Sequence, residues 1–264
     1  MRSVLLAGLL TLALAGCGGT AQEQGSHADP DQVDAVAVPT VGACRDLTGA
    51  DLALPTNASR TVPCTEDHTA VTIEAEELPE DLADLDVDDP QIVQWVGRTC
   101  TTAFERYLGA EESTAMRTIL DWVWFRPSDA AWDDGARWYR CDLTGGAPGA
   151  RPLALPADAE GLLAGVPQDR WMACARGDRV DDAPRVPCTR PHDWRAVTTI
   201  KLGEPDDPYP GDSVSEKRTS AFCQDSVAAW LRYPETFDFG YTWFHRAEWE
   251  RGNRRSVCWA MTTH

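Results

Sequence analysis

The stretch Val62-Pro63-Cys64-Thr65-Glu66-Asp67-His68 decides how this chain is read, because it returns as Val186-Pro187-Cys188-Thr189-Arg190-Pro191-His192. The first copy runs into the β-branched segment Thr69-Ala70-Val71-Thr72-Ile73, and the second is followed by Ala196-Val197-Thr198-Thr199-Ile200. Far downstream of each comes Trp-x-x-Gly-x-Arg-x-x-x-Cys: Trp132, Gly135, Arg137, Cys141, then Trp249, Gly252, Arg254, Cys258. From the cassette cysteine to the next cysteine the spacing is 36 residues in one copy and 35 in the other. A shared cassette, a shared downstream signature and a kept spacing point to a duplicated domain, residues 41–144 and 171–264, joined by a linker over 145–170.

The cysteines fit that division. Nine are present, and Cys17 stands apart near the N-terminus. The other eight fall four to a repeat: Cys44, Cys64, Cys100, Cys141 and Cys174, Cys188, Cys223, Cys258. An even count in an oxidising compartment implies bridges. Closing them within each repeat, with one pattern in both, leaves three connectivities. The preferred one is Cys44–Cys64 with Cys100–Cys141, and Cys174–Cys188 with Cys223–Cys258. Spans of 14 to 41 residues are worth roughly 3–4 kcal/mol per bridge on the chain-entropy account. Zinc is the competing use of a Cys beside a His, but Cys64 and His68 have no CxxC partner, so no metal is expected.

Within the first repeat, Thr69 to Leu78 alternates and is β-branched, which predicts a strand. Glu80 to Asp89 reads as a solvated acidic loop. Its Asp84-x-Asp86-x-Asp88 lacks the Gly and the final Glu of a calcium loop. Asp89-Pro90 is an N-cap followed by Pro at N1, so a helix should run from Pro90 to Leu108 and stop at Gly109. Its apolar face is Ile92, Trp95, Val96, Thr99, Cys100, Ala103, Phe104 and Tyr107. Strands are expected over Ile119 to Arg126 and Arg137 to Leu143, with a turn at Pro127-Ser128-Asp129 and a bend shaped by Trp132 and Gly135. In the second repeat a strand over Ala196 to Leu202 precedes a helix. That helix begins at the capping-box pattern Ser213-x-x-Glu216, ends near Leu231, and carries Ala221, Phe222, Val227, Ala228 and Trp230. Strands near Tyr241 to His245 and Ser256 to Met261 close the unit. The linker holds Gly, Ala and Pro, with one helical turn expected near Asp158 to Leu163. The fold class is α+β: two tandem units, each a small antiparallel sheet packed by one helix and stapled by two disulfides.

The N-terminus sets the location. Met1-Arg2 followed by the apolar run Val4 to Ala15 is too short to span a bilayer and suits the core of a signal peptide, residues 1–16. It ends in Leu14-Ala15-Gly16-Cys17, a lipobox, so the Cys17 thiol is expected to carry a diacylglycerol and tether the chain to the membrane. Residues 17–40, with His27 among them, read as a flexible tether. Loss of residues 1–16 takes Arg2 with it and leaves 23 basic against 42 acidic side chains, a net −19. That balance argues against nucleic acid as a partner. Two lysines against 22 arginines suggest a GC-rich bacterial genome.

Gly42-x-Cys44, the two Val-Pro-Cys-Thr-x-x-His cassettes and the two Trp-x-x-Gly-x-Arg-x-x-x-Cys signatures resemble the septum-formation family of actinobacterial cell-envelope proteins. The resemblance covers residues 41–144 and 171–262. The second copy departs from it by opening with Trp171-Met172-Ala173-Cys174, without a Gly at the position of Gly42. It implies a non-enzymatic extracytoplasmic module connected with cell division, with an envelope or division protein as partner.

The chain has no nucleophile elbow, HExxH helix, phosphate-binding Gly loop or dinucleotide fingerprint. His68, His192 and His245 are the internal histidines of the folded part, with His264 at the end. The first two sit at matching positions, whereas one catalytic centre needs unlike roles. No enzyme and no cofactor are therefore expected. Candidate binding residues are His68, His192, Trp132 and Trp249. Beside the interaction module stand two alternatives: a solute- or glycan-binding lipoprotein with tryptophans in an inter-repeat cleft, and a cell-wall hydrolase using a carboxylate pair.

Overall fold

The structure, a computed structural model, describes residues 28–29, 31–147 and 150–262. The signal segment, Cys17, His27 and His264 lie outside the described residues. The first unit contains β1 (Cys44–Arg45), β2 (Thr61–Val62), β3 (Ala70–Glu77), α1 (Glu80–Ala83), α2 (Pro90–Leu108), α3 (Glu112–Ala115), β4 (Leu120–Phe125), α4 (Asp129–Asp133) and β5 (Trp138–Gly145). The second repeats it with β6 (Ala173–Ala175), β7 (Arg185–Pro187), β8 (Trp194–Lys201), α5 (Asp212–Trp230), β9 (Phe239–Thr242), α6 (Arg246–Glu250) and β10 (Arg255–Met261). Both sheets are antiparallel and five-stranded, in the orders β2-β1-β3-β5-β4 and β7-β6-β8-β10-β9. The fold is α+β with two tandem units, as the duplication implies.

Helix α2 has the ends its sequence predicts. The Asp89 carboxylate accepts from the Gln91 N–H at 2.8 Å, Pro90 fills N1, and Gly109 closes the helix at φ +67°. Ile92, Val96, Cys100, Ala103, Phe104 and Leu108 pack on one face of the sheet with Val71, Ile73, Tyr139, Cys141 and Leu143. The bridges are Cys44–Cys64, Cys100–Cys141, Cys174–Cys188 and Cys223–Cys258, with Cα atoms 4.9–5.5 Å apart. In each unit one bridge pins the first strand to the cassette and the other pins the long helix to the last strand.

The opposite face of each sheet is built differently. In the first unit Arg45, Thr72, Arg140 and Asp142 are buried there. Arg140 Nη2 lies 3.0 Å from Asp142 Oδ2, Thr72 donates to Asp142 Oδ1 at 2.8 Å, and Arg45 Nη1 donates to Thr72 at 2.8 Å. Burial, and then the Arg140 charge, lowers Arg45 to about 10, with Asp142 opposing. Strand register places Ala175, Ala196, Val257 and Trp259 at the same four positions of the second unit. There they form an apolar cluster with Trp194 and Val180, onto which Ile119 and Met116 of the first unit and Leu153 of the linker pack.

Several expectations are corrected. The acidic stretch after β3 is not wholly a loop: Leu82 turns α1 inward and is buried in the first core. The bend before β5 is a short helix, α4, capped by Ser128, whose Oγ accepts from the Ala131 N–H at 3.0 Å. The expected strand up to His245 ends at Thr242 and gives way to α6. Helix α5 does not use the Ser213–Glu216 box: its N-cap is Gly211, at φ +91°, with no side-chain bond. It buries Ser215, Thr219, Cys223 and Val227, while Ala221, Phe222 and Trp230 are exposed and Ala228 is half-buried. Thr219 Oγ1 bonds Ser256 Oγ at 2.9 Å, so small polar residues set this helix close to its sheet.

Neither joining segment behaves as a free spacer where it is described. Residues 28–29 and 31–38 of the expected tether lie on the first unit. Asp29 N–H donates to Ala58 O at 2.8 Å, Trp138 Nε1 donates to Ala35 O at 3.1 Å, and Val38 packs near Ala131 and Ala136. The linker folds back over the first core, burying Leu155, Ala159 and Leu163, with a hydrogen-bonded turn over 160–163 in place of a helical one. Its backbone bonds the first unit through Leu155 N–H to His68 O (2.9 Å) and Leu163 N–H to Leu108 O (3.0 Å). Ile119 N–H then donates to Trp171 O and Ala173 N–H to Arg117 O, joining the units edge to edge.

Candidate functional site

The cassette histidines serve the fold. His68 and His192 are both buried, and each Nδ1 faces a carbonyl oxygen two residues back, Glu66 O at 2.8 Å and Arg190 O at 2.7 Å. A carbonyl only accepts, so Nδ1 carries the proton in both rings. Each imidazole thus closes the turn that delivers the chain to the central strand. Position, not chemistry, is what the duplication kept.

The second signature is a clamp. Trp132 lies in α4 and Trp249 in α6, and each short helix is closed by the signature glycine at positive φ, Gly135 at +100° and Gly252 at +106°. The Arg that follows stacks on its Trp, Arg137 at 4.0 Å and Arg254 at 3.9 Å from the ring centroid. Arg137 also donates to Ala83, Trp132 and Ala136 carbonyls, each at 2.7 Å. Arg254 reaches Glu204 O at 3.1 Å, Pro205 O at 2.8 Å and the Trp249 carbonyl. Each clamp therefore ties the start of the last strand to the segment after the central strand, helix α1 in the first unit and the loop at 204–205 in the second. The four residues proposed as a binding surface are not brought together. Trp249 is buried, with Nε1 on Asp207 O at 3.1 Å, and Trp132 is half-covered by its Arg.

The groove of interest lies elsewhere. A cleft of about 720 Å³ runs between α2 and the edge strand β4, and the 248–253 segment of the second unit closes one end. Its walls are Val93, Phe104, Leu120, Trp122 and Trp124, with Thr101 and Thr102 on the helix side. The closure is a direct contact: the backbone at Gly97 comes close to Arg251 O, and Gln94 Nε2 donates to Glu250 O at 3.5 Å. The charged rim is Arg98, Glu105, Glu112, Asp121, Glu248 and Arg251. Glu112 is held by an ion pair with Arg255. Burial raises the Glu105 carboxyl above its ordinary value, Glu112 adds to the rise, and Arg255 opposes it.

Trp122 and Trp124 escaped the sequence reading as site residues. Alternation within a strand puts both on the helix-facing side, and strand register equates them with Phe239 and Tyr241 of the second unit. Paired aromatics at matching places in both edge strands were the available signal. Among the described residues no group of three or more His, Cys, Asp or Glu side chains could hold a metal, and no helix is long and apolar enough to cross a membrane. No curated protein and no solved structure matches the chain. A family model described as Septum formation matches it twice, over residues 6–126 and 120–258. The two matches together span nearly the whole length, and with the doubled cassette, clamp and sheet they establish that this chain belongs to the septum-formation family.

Proposed function

We propose that this chain is a non-catalytic interaction module, lipid-anchored through Cys17 on the outer face of the cell membrane, that supports septum formation. One observation carries the binding part of this reading: the apolar, tryptophan-walled groove between α2 and β4, closed by the second unit. The lipobox Leu14-Ala15-Gly16-Cys17 supports the anchor, and membership of the septum-formation family is consistent with the septal role. A non-catalytic assignment is supported by the histidines, both buried and committed to turns. The test is a fluorescent fusion with the lipobox intact, imaged in dividing cells of the source organism. Enrichment at the division plane, abolished by Cys17→Ala and by deletion of one repeat, is the expected result. A uniform peripheral signal rejects the septal role.

Trp122 and Trp124 in the same groove favour a second reading, a glycan-binding lipoprotein, since aromatic walls with carboxylates suit sugar rings. A thermal shift on adding cell-wall fragments, lost in Trp122→Ala, would move the assignment to it.

A further inference from the structure

We propose that the groove takes an extended basic peptide segment of a partner protein, which adds as a strand to the open edge of β4 over Trp122–Trp124. This rests on the interaction-module reading and names the partner's chemistry. Strand β4 ends its sheet, with β5 on one side and no strand on the other among the described residues. The direction of its free edge follows from the backbone. The N–H groups of Leu120, Trp122 and Arg126 all turn away from β5, and meet Thr118 Oγ1 at 3.2 Å, Asp121 Oδ1 at 2.8 Å and Pro55 O at 3.0 Å. Strand alternation sends the Trp124 N–H the same way. Leu120 through Trp124 all line the cleft, so the free edge opens into it.

Both ends of that edge are already satisfied, at one end by Thr118 and the Ile119–Trp171 contact, at the other by Pro55. The window left is short. Inside it, the carboxylate of exposed Asp121 holds the Trp122 N–H in the place an added strand's carbonyl would take. An incoming strand displaces it, and a lysine or arginine on that strand then receives the freed carboxylate.

Charge complementarity selects a basic occupant. With Glu112 neutralised by Arg255, the rim presents Glu105, Asp121 and Glu248 against Arg98 and Arg251, on a chain of formal net charge −18. Apolar side chains of the segment would face Trp122 and Trp124 on the helix side, and cationic ones would face Asp121 on the other. Main-chain bonds supply affinity and the alternate pockets supply selectivity.

The test uses the full chain, oxidised and in detergent micelles, with three capped heptapeptides: alternating Lys/Val, alternating Glu/Val, and Lys/Val with alternate amides N-methylated. The Lys/Val peptide should bind at least tenfold tighter than either other. Binding should weaken about tenfold in Asp121→Lys and protect the Trp124 amide from hydrogen exchange. Equal binding of the N-methylated peptide, no Lys/Val binding at millimolar concentration, or perturbations confined to other surfaces overturns the proposal. So does a chito-oligosaccharide or a second copy of the chain occupying the groove in place of the peptide. Septal enrichment without peptide binding rejects this inference alone, and peptide binding without septal enrichment rejects the septal role alone.

Discussion

Replacing Asp142 by Asn should destabilise the first unit by about 3–5 kcal/mol, the range for removing one partner of a buried ion pair. Asp142 and Arg140 are fully buried and 3.0 Å apart. At an effective dielectric near 20 their attraction is about 5.5 kcal/mol. The amide keeps one acceptor oxygen, for the Thr72 hydroxyl, which restores about 1 kcal/mol, and it turns its NH2 toward Arg140. Against that recovery stands Arg45, a second buried guanidinium that reaches the carboxylate through Thr72 and would share a pocket with Arg140 and no counter-charge. The measurement is urea unfolding of the oxidised protein, followed by tryptophan fluorescence at constant pH. A triple change, Arg45→Met with Arg140→Met and Asp142→Leu, removes the charges together and should recover much of the loss. A cost below about 1 kcal/mol for Asp142→Asn, with no recovery in the triple variant, would refute the reasoning, because groups that are truly desolvated cannot lose their counter-ion so cheaply.

Loss of the clamp is expected to cost about 2–4 kcal/mol in Arg137→Met, since three carbonyls lose a charged donor and a stacked guanidinium leaves Trp132. A red shift of tryptophan emission with unchanged stability would contradict that. Removing the Cys100–Cys141 bridge by paired Ala substitutions opens a loop of sequence separation 41 and should cost about 4 kcal/mol on the chain-entropy account; a change under about 1 kcal/mol in equilibrium unfolding would count against it. For Glu105 the sign follows from a folded-state value raised above the reference 4.5. The folded protein holds this proton more tightly, so the contribution is full below about 4.5 and lost as pH rises through the raised value. Glu105→Gln should remove that decline. Thermal melts from pH 4 to 7 that run parallel in the two proteins would exclude it; burial sets the shift first, with Glu112 adding to it and Arg255 opposing.

Local signals with a strong cap were legible to the residue. Asp89-Pro90 and Gly109 fix both ends of α2 because each satisfies a backbone requirement on its own. Helix α5 carries no such stripe. Its buried side chains are Ser215, Thr219, Cys223 and Val227, so periodicity pointed to Phe222 and Trp230, which the sheet leaves outside. Short helices α4 and α6 look like turns in sequence because five residues hold too little pattern. The joining segments were read from composition, yet three apolar residues spaced four apart, Leu155, Ala159 and Leu163, suffice to dock a Gly- and Pro-rich strap. The groove was least legible of all. Trp122 and Trp124 can be placed on a strand from sequence, but its end wall comes from residues 248–253, more than a hundred positions away.

The contrast between the two sheet faces bears on how a tandem chain avoids misassembly. Homologous neighbours on one polypeptide risk trading strands during folding, since their strands share order, register and cysteine positions. Here an exchange of β5 with β10 would drive Trp259 into the socket of Arg45 and leave Asp142 against Ala175 and Ala196, an indole over an unpaired guanidinium and a carboxylate among methyl groups. Either outcome strands a buried charge. The ionic face of one repeat and the apolar face of the other thus act as a mutual password, admitting each strand only to its own sheet before the disulfides lock the result.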